Sequence, residues 1–277
     1  MTASPLNLSG IHLKYGRDTV LDGVDLGLEP GTVTGLLGRN GSGKTTLMRV
    51  AIGLMQADEG TAEVFGVPSC DSPAGIRKRI GYVPQQFGSF GWMSVRGCID
   101  FVAGHYKDTW DGELVSHLRR EWRLKDRRIA TLSPGDQQKV AILLAIGHRP
   151  DLLVLDEPMA SLDPAARRDF LRTLMEVNVD QGQTILLSSH ITSDIERVCS
   201  HIAILHGGRT LCHAGLDEIK ERVRAVSVPA PPYPPARQVI GKRGDCFWLW
   251  DPETCGLGPT SRVDDTTLED LFVGVTS

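Results

Sequence analysis

Three features are scarce in this sequence: long apolar runs, an excess of positive charge, and paired cysteines. No apolar run reaches the roughly 18 residues that cross a bilayer, and the N-terminus lacks the charged-then-apolar pattern of a signal peptide. Thirty basic and 34 acidic residues give a net charge of −4, whereas nucleic-acid-binding proteins usually carry a basic excess. We therefore expect a chain that reaches a membrane only through a partner and binds no nucleic acid.

The six cysteines are scattered and form no CxxC pair. Zinc sites and disulfide frameworks depend on close, regular cysteine spacing, so reduced cytoplasmic thiols are the better interpretation. With 41 % hydrophobic and 23 % charged residues, the composition is typical of a soluble globular protein. The 277 residues are enough for one large domain or two unequal lobes.

Strand and helix patterns alternate in the second half of the chain, which predicts a buried parallel sheet. Apolar strand patterns occupy Leu152–Leu155, Thr184–Leu187 and Ile202–Leu205, and helical patterns occupy Ala165–Val179 and Thr192–Cys199. The first half contains further β-prone runs and helical patterns: strands at Leu6–Leu13, Val20–Leu28 and Thr32–Leu37, and helices at Thr45–Ile52 and Glu113–Trp122.

The texture of the chain changes beyond Ala230. Five prolines between residues 229 and 235 predict a stiff, extended linker. After it we predict a hairpin of Gln238–Ile240 and Cys246–Trp250 around residues 241–244, and a short helix at Thr267–Phe272. The predicted organisation is therefore a main domain of residues 1–225, a linker of residues 226–236 and a C-terminal extension of residues 237–277.

Residues 38–45 read GRNGSGKT and fit the phosphate-binding pattern GxxxxGK[ST] completely. The pattern follows an apolar strand and opens a helix, as it must if backbone N–H groups are to surround a phosphate. Lys44 is predicted to bridge the β- and γ-phosphates of a nucleotide, and the Thr45 hydroxyl is predicted to bind Mg²⁺. The predicted nucleotide contacts in this segment are Gly38, Asn40, Gly41, Ser42, Gly43, Lys44, Thr45 and Thr46.

An apolar strand ends in Asp156, Glu157 and Pro158. A carboxylate at the end of a buried strand is held rigidly, so Asp156 suits a metal beside the phosphates. Glu157, one residue further on, is positioned to polarise an attacking water. An Asp-Glu pair after a strand also occurs as ordinary loop solvation, and the preceding phosphate pattern favours the catalytic interpretation.

Residues 132–138 read LSPGDQQ and resemble the LSGGQ signature of ABC ATPases. Ser133 is a good helix N-cap, Pro134 suits the first helical position, and Gly135 exposes a backbone N–H to an anion. The same pattern begins many ordinary helices. Two departures from the signature are Pro134 and Asp136, and we expect Asp136 to brace the helix start by accepting from the Ser133 backbone N–H.

Four more motifs occur in the order typical of ABC ATPases. Tyr15 resembles the aromatic residue that stacks on adenine, Gln85 the Q-loop glutamine, Ser161-Leu162-Asp163 the D-loop, and His190 the switch histidine. Each has an ordinary alternative: Tyr15 as a core aromatic, Gln85 as a surface amide, Asp163 as a helix cap and His190 as a loop residue. The order and spacing of the whole set favour the ABC interpretation over about residues 5–225.

The resemblance implies an α/β fold: a P-loop NTPase core with a parallel sheet, an N-terminal antiparallel β element, a helical subdomain at about residues 87–145, and a small C-terminal α+β extension. It also implies ATP and Mg²⁺ as cofactors. The implied catalytic residues are Glu157, His190 and Gln85, and the implied metal ligands are Thr45, Gln85 and Asp156. Ser133, Gly135 and Asp136 would contact ATP held by a second copy or a paralogue, because the signature of this family reaches the P-loop of a partner.

The family further implies a separate transmembrane permease subunit and a location at the cytoplasmic face of the membrane. The aromatic segment Phe87–Met93 suits a permease contact, although burial under the helical subdomain is an equal alternative. Weak motifs at residues 216–220 and 268–272 resemble bacterial exporters of drugs, antibiotics or lipids, so export is favoured over import. Two other functions stay open: a soluble ABC ATPase with an assembly or repair role, and a regulator that binds nucleotide without hydrolysis.

Overall fold

The computed structural model describes residues 4–88, 90–228, 238–255 and 261–276. The strands are β1 (Leu6–Tyr15), β2 (Asp18–Leu28), β3 (Val33–Leu37), β4 (Glu59–Val64), β5 (Val67–Pro68), β6 (Ile80–Val83), β7 (Leu152–Leu155), β8 (Thr184–Ser189), β9 (His201–His206), β10 (Arg209–Gly215), β11 (Val223–Ser227), β12 (Val239–Arg243), β13 (Cys246–Trp250) and β14 (Arg262–Asp265). The helices are α1 (Lys44–Ala51), α2 (Ala74–Arg77), α3 (Val95–Ala103), α4 (Gly112–Glu121), α5 (Pro134–Ile146), α6 (Pro164–Gln181), α7 (Thr192–Val198), α8 (Leu216–Arg222) and α9 (Leu268–Thr276).

A six-stranded sheet in the order β10-β9-β3-β8-β7-β6 forms the centre of the molecule. Five of its strands run parallel, and β10 joins the edge antiparallel to β9. Every residue of β3, β7 and β8 is buried, as expected of parallel strands covered on both faces. The predicted parallel sheet is therefore confirmed, with strand ends within one or two residues of the predicted ones.

A second, antiparallel sheet in the order β2-β1-β4-β5 carries the N-terminal strands. Alternate residues of β1, among them Leu6 and Leu8, are buried, which is the period-two pattern of a sheet covered on one face. These side chains share an apolar core with α1 and with one face of the central sheet. The predicted N-terminal antiparallel element is confirmed.

Helices α3, α4 and α5 lie in sequence between β6 and β7, within the segment predicted as the helical subdomain. The side chains of α5 from Val140 to Ile146 are all buried, and they pack with α3 and α4 in one apolar core. Ser94 caps α3 by accepting a hydrogen bond from the Gly97 N–H at 3.0 Å, and Asp111 caps α4 in the same way at Leu114.

The aromatic segment of residues 87–93 divides into two environments. Phe87, Phe90 and Met93 are partly buried against the main core, with the Phe90 ring 5.8 Å from that of Phe101. Trp92 is 78 % exposed. The alternative of burial therefore applies to Phe87, Phe90 and Met93, and a permease contact stays a prediction that the exposed Trp92 leaves possible. Ser89 lies outside the described residues.

A third sheet, in the order β12-β13-β11-β14, carries α9 and forms the C-terminal part of the fold. Strand β11 spans the predicted domain boundary at residue 225, because it pairs with β13 and β14 of the extension. Residues 229–236 of the predicted linker lie outside the described residues. The boundaries of the three predicted units stay predictions.

Two predicted elements of the extension differ from the structure. The hairpin turn falls at Gly244-Asp245, because β12 continues to Arg243 and only Gly244, with φ of 60°, takes up the tight reversal. The last helix runs four residues beyond Phe272, because Gly274 allows it to pass the ring of Trp248. In the described residues, none of the helices combines the length and apolar character needed to cross a membrane.

Candidate functional site

Three neighbouring parallel strands bring the predicted phosphate and hydrolysis motifs to one edge of the central sheet. Strand β3 pairs with β8, and β8 pairs with β7. Residues 38–43 follow β3, the Asp156-Glu157 pair follows β7, and His190 follows β8. Because parallel strands all end at the same edge, motifs separated by more than 140 residues in the chain meet there.

The loop of residues 38–43 has no room for side chains at two of its glycines. A Cβ atom on Gly38 would lie 2.4 Å from the Ser42 hydroxyl and 2.8 Å from the Leu205 carbonyl oxygen. Gly43 has φ of 103°, and a Cβ there would lie 2.9 Å from the Val20 carbonyl oxygen. Glycine is therefore required at both positions for the loop to turn tightly into α1.

The side chain of Lys44 is buried in this loop and ends among oxygen atoms. Its Nζ donates hydrogen bonds to the carbonyl oxygens of Gly38 at 2.6 Å and Arg39 at 3.4 Å. Nζ also lies 3.1 Å from Oε1 of Glu157, with both side chains less than 10 % exposed. Because little water screens the two buried charges, the loss of either partner would leave the other charge buried and unpaired, which is costly.

Asp156 is completely buried at the end of β7. Its Oδ1 accepts a hydrogen bond from the Ser188 hydroxyl at 3.0 Å, and the same hydroxyl accepts from the Glu157 N–H at 2.8 Å. Burial raises the pKa of the Asp156 carboxyl. The Thr45 hydroxyl lies close enough to this carboxyl to oppose that rise in the pKa, yet among the described residues Oδ2 of Asp156 has no hydrogen bond of normal geometry. One buried carboxylate oxygen, beside Thr45, is therefore left for another ligand.

Glu157 is held from both sides and in an unusual backbone conformation. Its Oε1 pairs with Lys44, and its Oε2 lies 2.9 Å from Nδ1 of His190. Its φ of 45° lies in the left-handed region, which costs free energy in a residue other than glycine. Backbone strain, an ion pair with Lys44 and a hydrogen bond with His190 together point to Glu157 as a residue held in place for function.

A cleft of about 400 Å³ opens over these residues. It is lined by Val20, Arg39, Asn40, Gly41, Gly43, Lys44, Thr45, Thr46, Gln85 and Glu157. Gln85 is exposed at this cleft, where its amide can reach a bound molecule. Tyr15 lies beside α1: its hydroxyl is 3.5 Å from that of Thr46 and donates to the sulfur of Met55 at 3.2 Å. Because Tyr15 is 47 % exposed, it is not the core aromatic of the alternative interpretation.

The signature segment lines a different cleft, of about 430 Å³. Its lining residues are Ser133, Pro134, Gly135, Asp136, Lys139, Ser161, Leu162, Asp163 and Ala166. A Cβ on Gly135 would lie 2.9 Å from the Ser161 carbonyl oxygen, so the signature and the predicted D-loop pack directly together. The two clefts have no lining residue in common in the described part of the chain.

Ser133 caps the helix that begins at the signature, as predicted, but Asp136 does not accept the predicted hydrogen bond in return. The Ser133 hydroxyl accepts from the Asp136 N–H at 3.2 Å. The Asp136 carboxylate pairs instead with Lys139, one turn further along, at 3.5 Å. The predicted return bond from Asp136 to the Ser133 N–H is wrong in this structure, because the ammonium of Lys139 is a stronger partner for a carboxylate than a backbone N–H.

Asp163 acts as a helix cap, which is the alternative that the sequence offered. Its carboxylate accepts from the N–H groups of Ala165 and Ala166, each at 2.9 Å. These two hydrogen bonds hold the pKa of Asp163 below its ordinary value.

Ser188, like the cleft-lining Val20 and Arg39, was assigned no role from the sequence. It lies within the motif LLSSH, and its hydroxyl ties Asp156 to the Glu157 backbone. A serine directly after the apolar run Ile185–Leu187 of a buried strand was the available signal, because a buried hydroxyl needs a partner.

Comparisons with known proteins agree with the motif set. A family model described as ABC transporter matches residues 21–160. The bacitracin transport ATP-binding protein BcrA of Bacillus licheniformis is 32 % identical over 76 % of this chain and 69 % of that protein. The chain belongs to the ABC transporter family, as an ATP-binding subunit. The Nod factor export ATP-binding protein I of Burkholderia thailandensis is 31 % identical over 100 % of this chain and 98 % of that protein, so its similarity includes the C-terminal extension.

Solved structures agree with the fold. The structure of an ATP-binding subunit of an ABC transporter matches with a TM-score of 0.70 and 30 % identity, covering 79 % of this chain and 92 % of that one. The dimeric structure of MJ0796, a bacterial ABC transporter cassette, matches with a TM-score of 0.68 over 76 % of this chain and 98 % of that one. At 23 % identity, the second match supports the fold alone.

The predicted family, the α/β fold class and the role of an ABC transporter ATP-binding subunit are confirmed. ABC ATPases hydrolyse ATP, so the predicted ATPase activity is confirmed at the level of the family. The roles of individual residues stay predictions.

Proposed function

We propose that this chain is the Mg²⁺-dependent ATPase of an ABC exporter, and that two such chains enclose ATP between them. The carrying observation is the division of the predicted ATP contacts between two separate clefts. One cleft holds Lys44 and Glu157, and the other holds Ser133 and Gly135. A single chain therefore offers two half-sites, and each half-site needs a partner.

In the first half-site, Lys44 and Glu157 form an ion pair. The phosphates of ATP carry more negative charge than one carboxylate, so Lys44 moves its charge to the β- and γ-phosphates on binding. This exchange leaves Glu157 free to accept a proton from the attacking water. His190 keeps its contact with Oε2 of Glu157 and orients the carboxylate.

The residues at this edge of the sheet fit a magnesium ion. Mg²⁺ prefers oxygen ligands, and Thr45, Gln85 and Asp156 supply a hydroxyl, an amide oxygen and a carboxylate. The unpartnered Oδ2 of Asp156 is the observation that supports this assignment. Bound there, Mg²⁺ would neutralise part of the phosphate charge.

The second half-site is a helix N-terminus, which attracts anions. Ser133 is exposed, and its hydroxyl caps the helix. We infer that Ser133, Gly135 and Asp136 meet the ATP held by the P-loop of a second copy or of a paralogue. ATP would thereby join the two chains, and its hydrolysis would remove the contact that favours the closed pair.

Glu157→Gln tests this proposal. The variant should bind ATP but hydrolyse it about 100-fold or more slowly, because the amide keeps the shape of the side chain and cannot accept the proton. It should also form a stable dimer with Mg-ATP, measured by size-exclusion chromatography with light scattering. Glu176→Gln, on the exposed side of α6, is the matched control and should behave as the wild type.

Two results would count against the proposal. Wild-type turnover by Glu157→Gln would remove Glu157 from the role of base. A monomer at saturating Mg-ATP, with ATP demonstrably bound, would remove the dimer.

A permease partner is supported by an exposed aromatic surface on the helical part of the fold. The side chains of Trp92 and Phe101 are 78 % and 48 % exposed. The ring of Phe90 lies 5.8 Å from that of Phe101. Exposed aromatic residues are typical of interface hot spots. The relative named for Nod factor export supports export as the direction. We propose that a separate transmembrane permease binds here and holds the chain at the cytoplasmic face of the membrane.

Cell fractionation in the native host tests this partner. The wild-type chain should pellet with the membranes, and Trp92→Ser should shift it to the soluble fraction because the main contact is lost. Leu54→Ser, at another exposed apolar residue, is the matched control and should stay with the membranes. A wild-type chain found only in the soluble fraction would favour the assembly or repair alternative.

A further inference from the structure

The last turn of α9 touches the phosphate-binding loop. The Nη1 atom of Arg39 donates a hydrogen bond to the Thr276 carbonyl oxygen at 3.1 Å. Arg39 is the second residue of the loop, and 237 residues separate the two partners. We propose that α9 is a brace for this loop, and that Arg39 is a positioning residue through which the C-terminal extension sets the affinity for ATP. The proposal rests on the proposed function, since it concerns the same cleft.

The first step is that α9 is seated in a fixed position. A Cβ on Gly274 would lie 2.0 Å from the ring of Trp248, and a Cβ on Gly241 would lie 2.5 Å from the side chain of Val275. Such close approach between α9 and the C-terminal sheet leaves no freedom for the helix to slide. The Thr276 side chain is buried as well, and its hydroxyl donates to the Phe272 carbonyl oxygen.

The second step is that α9 is packed on the catalytic core as well as on its own sheet. It contacts β9 and α7, and its buried side chains Leu271, Phe272 and Val275 belong to the same apolar core as Ile195 of α7. Helix α7 begins two residues after His190. The brace is therefore anchored in the part of the fold that carries the predicted switch histidine.

Arg39 connects α9 to Lys44 of the phosphate-binding loop. The guanidinium group holds α9, while the carbonyl oxygen of the same residue lies 3.4 Å from Nζ of Lys44. A cation at a helix C-terminus is favourable, because the last carbonyl groups carry partial negative charge. Fixing Arg39 from outside thus limits how far the loop around Lys44 can open.

This arrangement predicts an effect on ATP binding, with little effect on the chemical step. A loop that is already held in shape loses less conformational freedom when the phosphates bind. Arg39 is exposed, and one hydrogen bond to a charged group at the surface changes affinity by about threefold to tenfold. The kcat at saturating ATP should stay within about twofold, since the brace acts equally on the ground state and the transition state.

The experiment compares four full-length variants with the wild type. Arg39→Ala removes the contact, and Arg39→Lys keeps the charge and one donor. Gly274→Ala keeps Arg39 but pushes the last turn of α9 away from Trp248. Glu269→Ala, on the exposed side of α9, is the control. The measurements are the Kd for ATP, kcat, and amide hydrogen exchange of residues 38–43 without nucleotide.

We expect Arg39→Ala and Gly274→Ala each to raise the Kd for ATP about threefold to tenfold and to speed exchange in the loop. Arg39→Lys should recover most of the affinity, and Glu269→Ala should match the wild type. The double variant Arg39→Ala with Gly274→Ala should show little more change than either single variant, because both substitutions remove the same contact between Arg39 and Thr276.

Other combinations of ATP affinity and exchange rate would contradict the proposal that α9 holds the loop in place. If Arg39→Ala weakens ATP binding while Gly274→Ala changes neither affinity nor exchange, Arg39 acts by its charge on the phosphates. If Gly274→Ala fails to fold, the exchange rates of Arg39→Ala and Arg39→Lys decide alone, and equal rates in both and in the wild type contradict the proposal. Failure of the wild type to bind ATP would refute the proposed function, whereas the exchange measurement without nucleotide would still test the brace.

Discussion

Two clefts of this chain are built in opposite ways: the P-loop cleft, at residues 38–46 and Glu157, and the signature cleft, at residues 133–136 and 161–163. In the P-loop cleft, Lys44 and Glu157 are buried and neutralise each other within one chain. In the signature cleft, Ser133 is exposed, and the ion pair of Asp136 with Lys139 is only partly buried. In the first cleft, two opposite charges lie in a low-dielectric environment, where their interaction is little screened. In the second cleft, the N-terminus of α5 presents backbone N–H groups to an anion from solvent or from another molecule.

The difference supports the proposal that the two clefts play different roles at the ATP site. Buried, strained and paired groups such as Glu157 cost free energy to assemble, which points to a functional reason for holding them there. A capped helix start such as that at Ser133 costs little and has no strain. We therefore regard the P-loop cleft as the reacting half and the signature cleft as the half that recognises the partner's nucleotide.

Lys44→Ala should break the P-loop half with the largest effect. The main positive charge on the β- and γ-phosphates is lost, and the buried Glu157 loses an ionic partner. We expect turnover to fall about 100-fold or more, measured as phosphate release at saturating Mg-ATP. Lys107→Ala, at an exposed lysine remote from this cleft, is the control. Turnover close to that of the wild type in Lys44→Ala would mean that ATP is bound elsewhere.

A mixture of two inactive variants sharpens the comparison. Ser133→Arg alters the exposed signature and should cost only about 1 kcal/mol of stability through the lost cap, while blocking the approach of a partner's ATP. Alone it should be nearly inactive, like Lys44→Ala. Mixed dimers contain one site with both an intact P-loop and an intact signature, so mixing should restore turnover. If mixing restores nothing although mixed dimers form, the two clefts do not share one ATP.

Tyr15 tests the edge of the P-loop cleft and has the smallest expected effect. Loss of a stacking ring should weaken ATP binding by about 1–3 kcal/mol in Tyr15→Ala, whereas Tyr15→Trp should retain affinity. Equilibrium binding of ATP measures both. If ATP binds equally well to both variants and the wild type, the exposed ring of Tyr15 does not stack on the base.

Much of the P-loop half was predictable from local sequence. A run of glycines between an apolar strand and a helix admits few conformations, so residues 38–45 specify their own loop. Leu152–Leu155 is a strand with the predicted ends, because a continuously apolar run of that length suits a strand buried on both faces. The order of motifs typical of ABC ATPases also predicted that Gln85, Asp156, Glu157 and His190 belong to one site.

Other features were not predictable, because they depend on partners distant in the chain. Gly274 is an ordinary helix-stop signal in the sequence, yet α9 continues through it because Trp248 occupies the space that a side chain would need. Asp136 was expected at the Ser133 N–H, and only the observed position of Lys139 decided between two local partners. Arg39 gave no sequence signal of its contact with Thr276.

The sequence by itself determined the family and the phosphate-binding loop and predicted the residues of the ATP site, because these depend on short motifs whose backbone geometry is locally specified. Tertiary structure alone decided that Glu157 is held between Lys44 and His190, that the signature lies in a cleft of its own, and that α9 reaches Arg39. Each of these depends on side chains brought together by strand order and core packing, and pairwise distances of that kind are fixed only when the whole chain has folded.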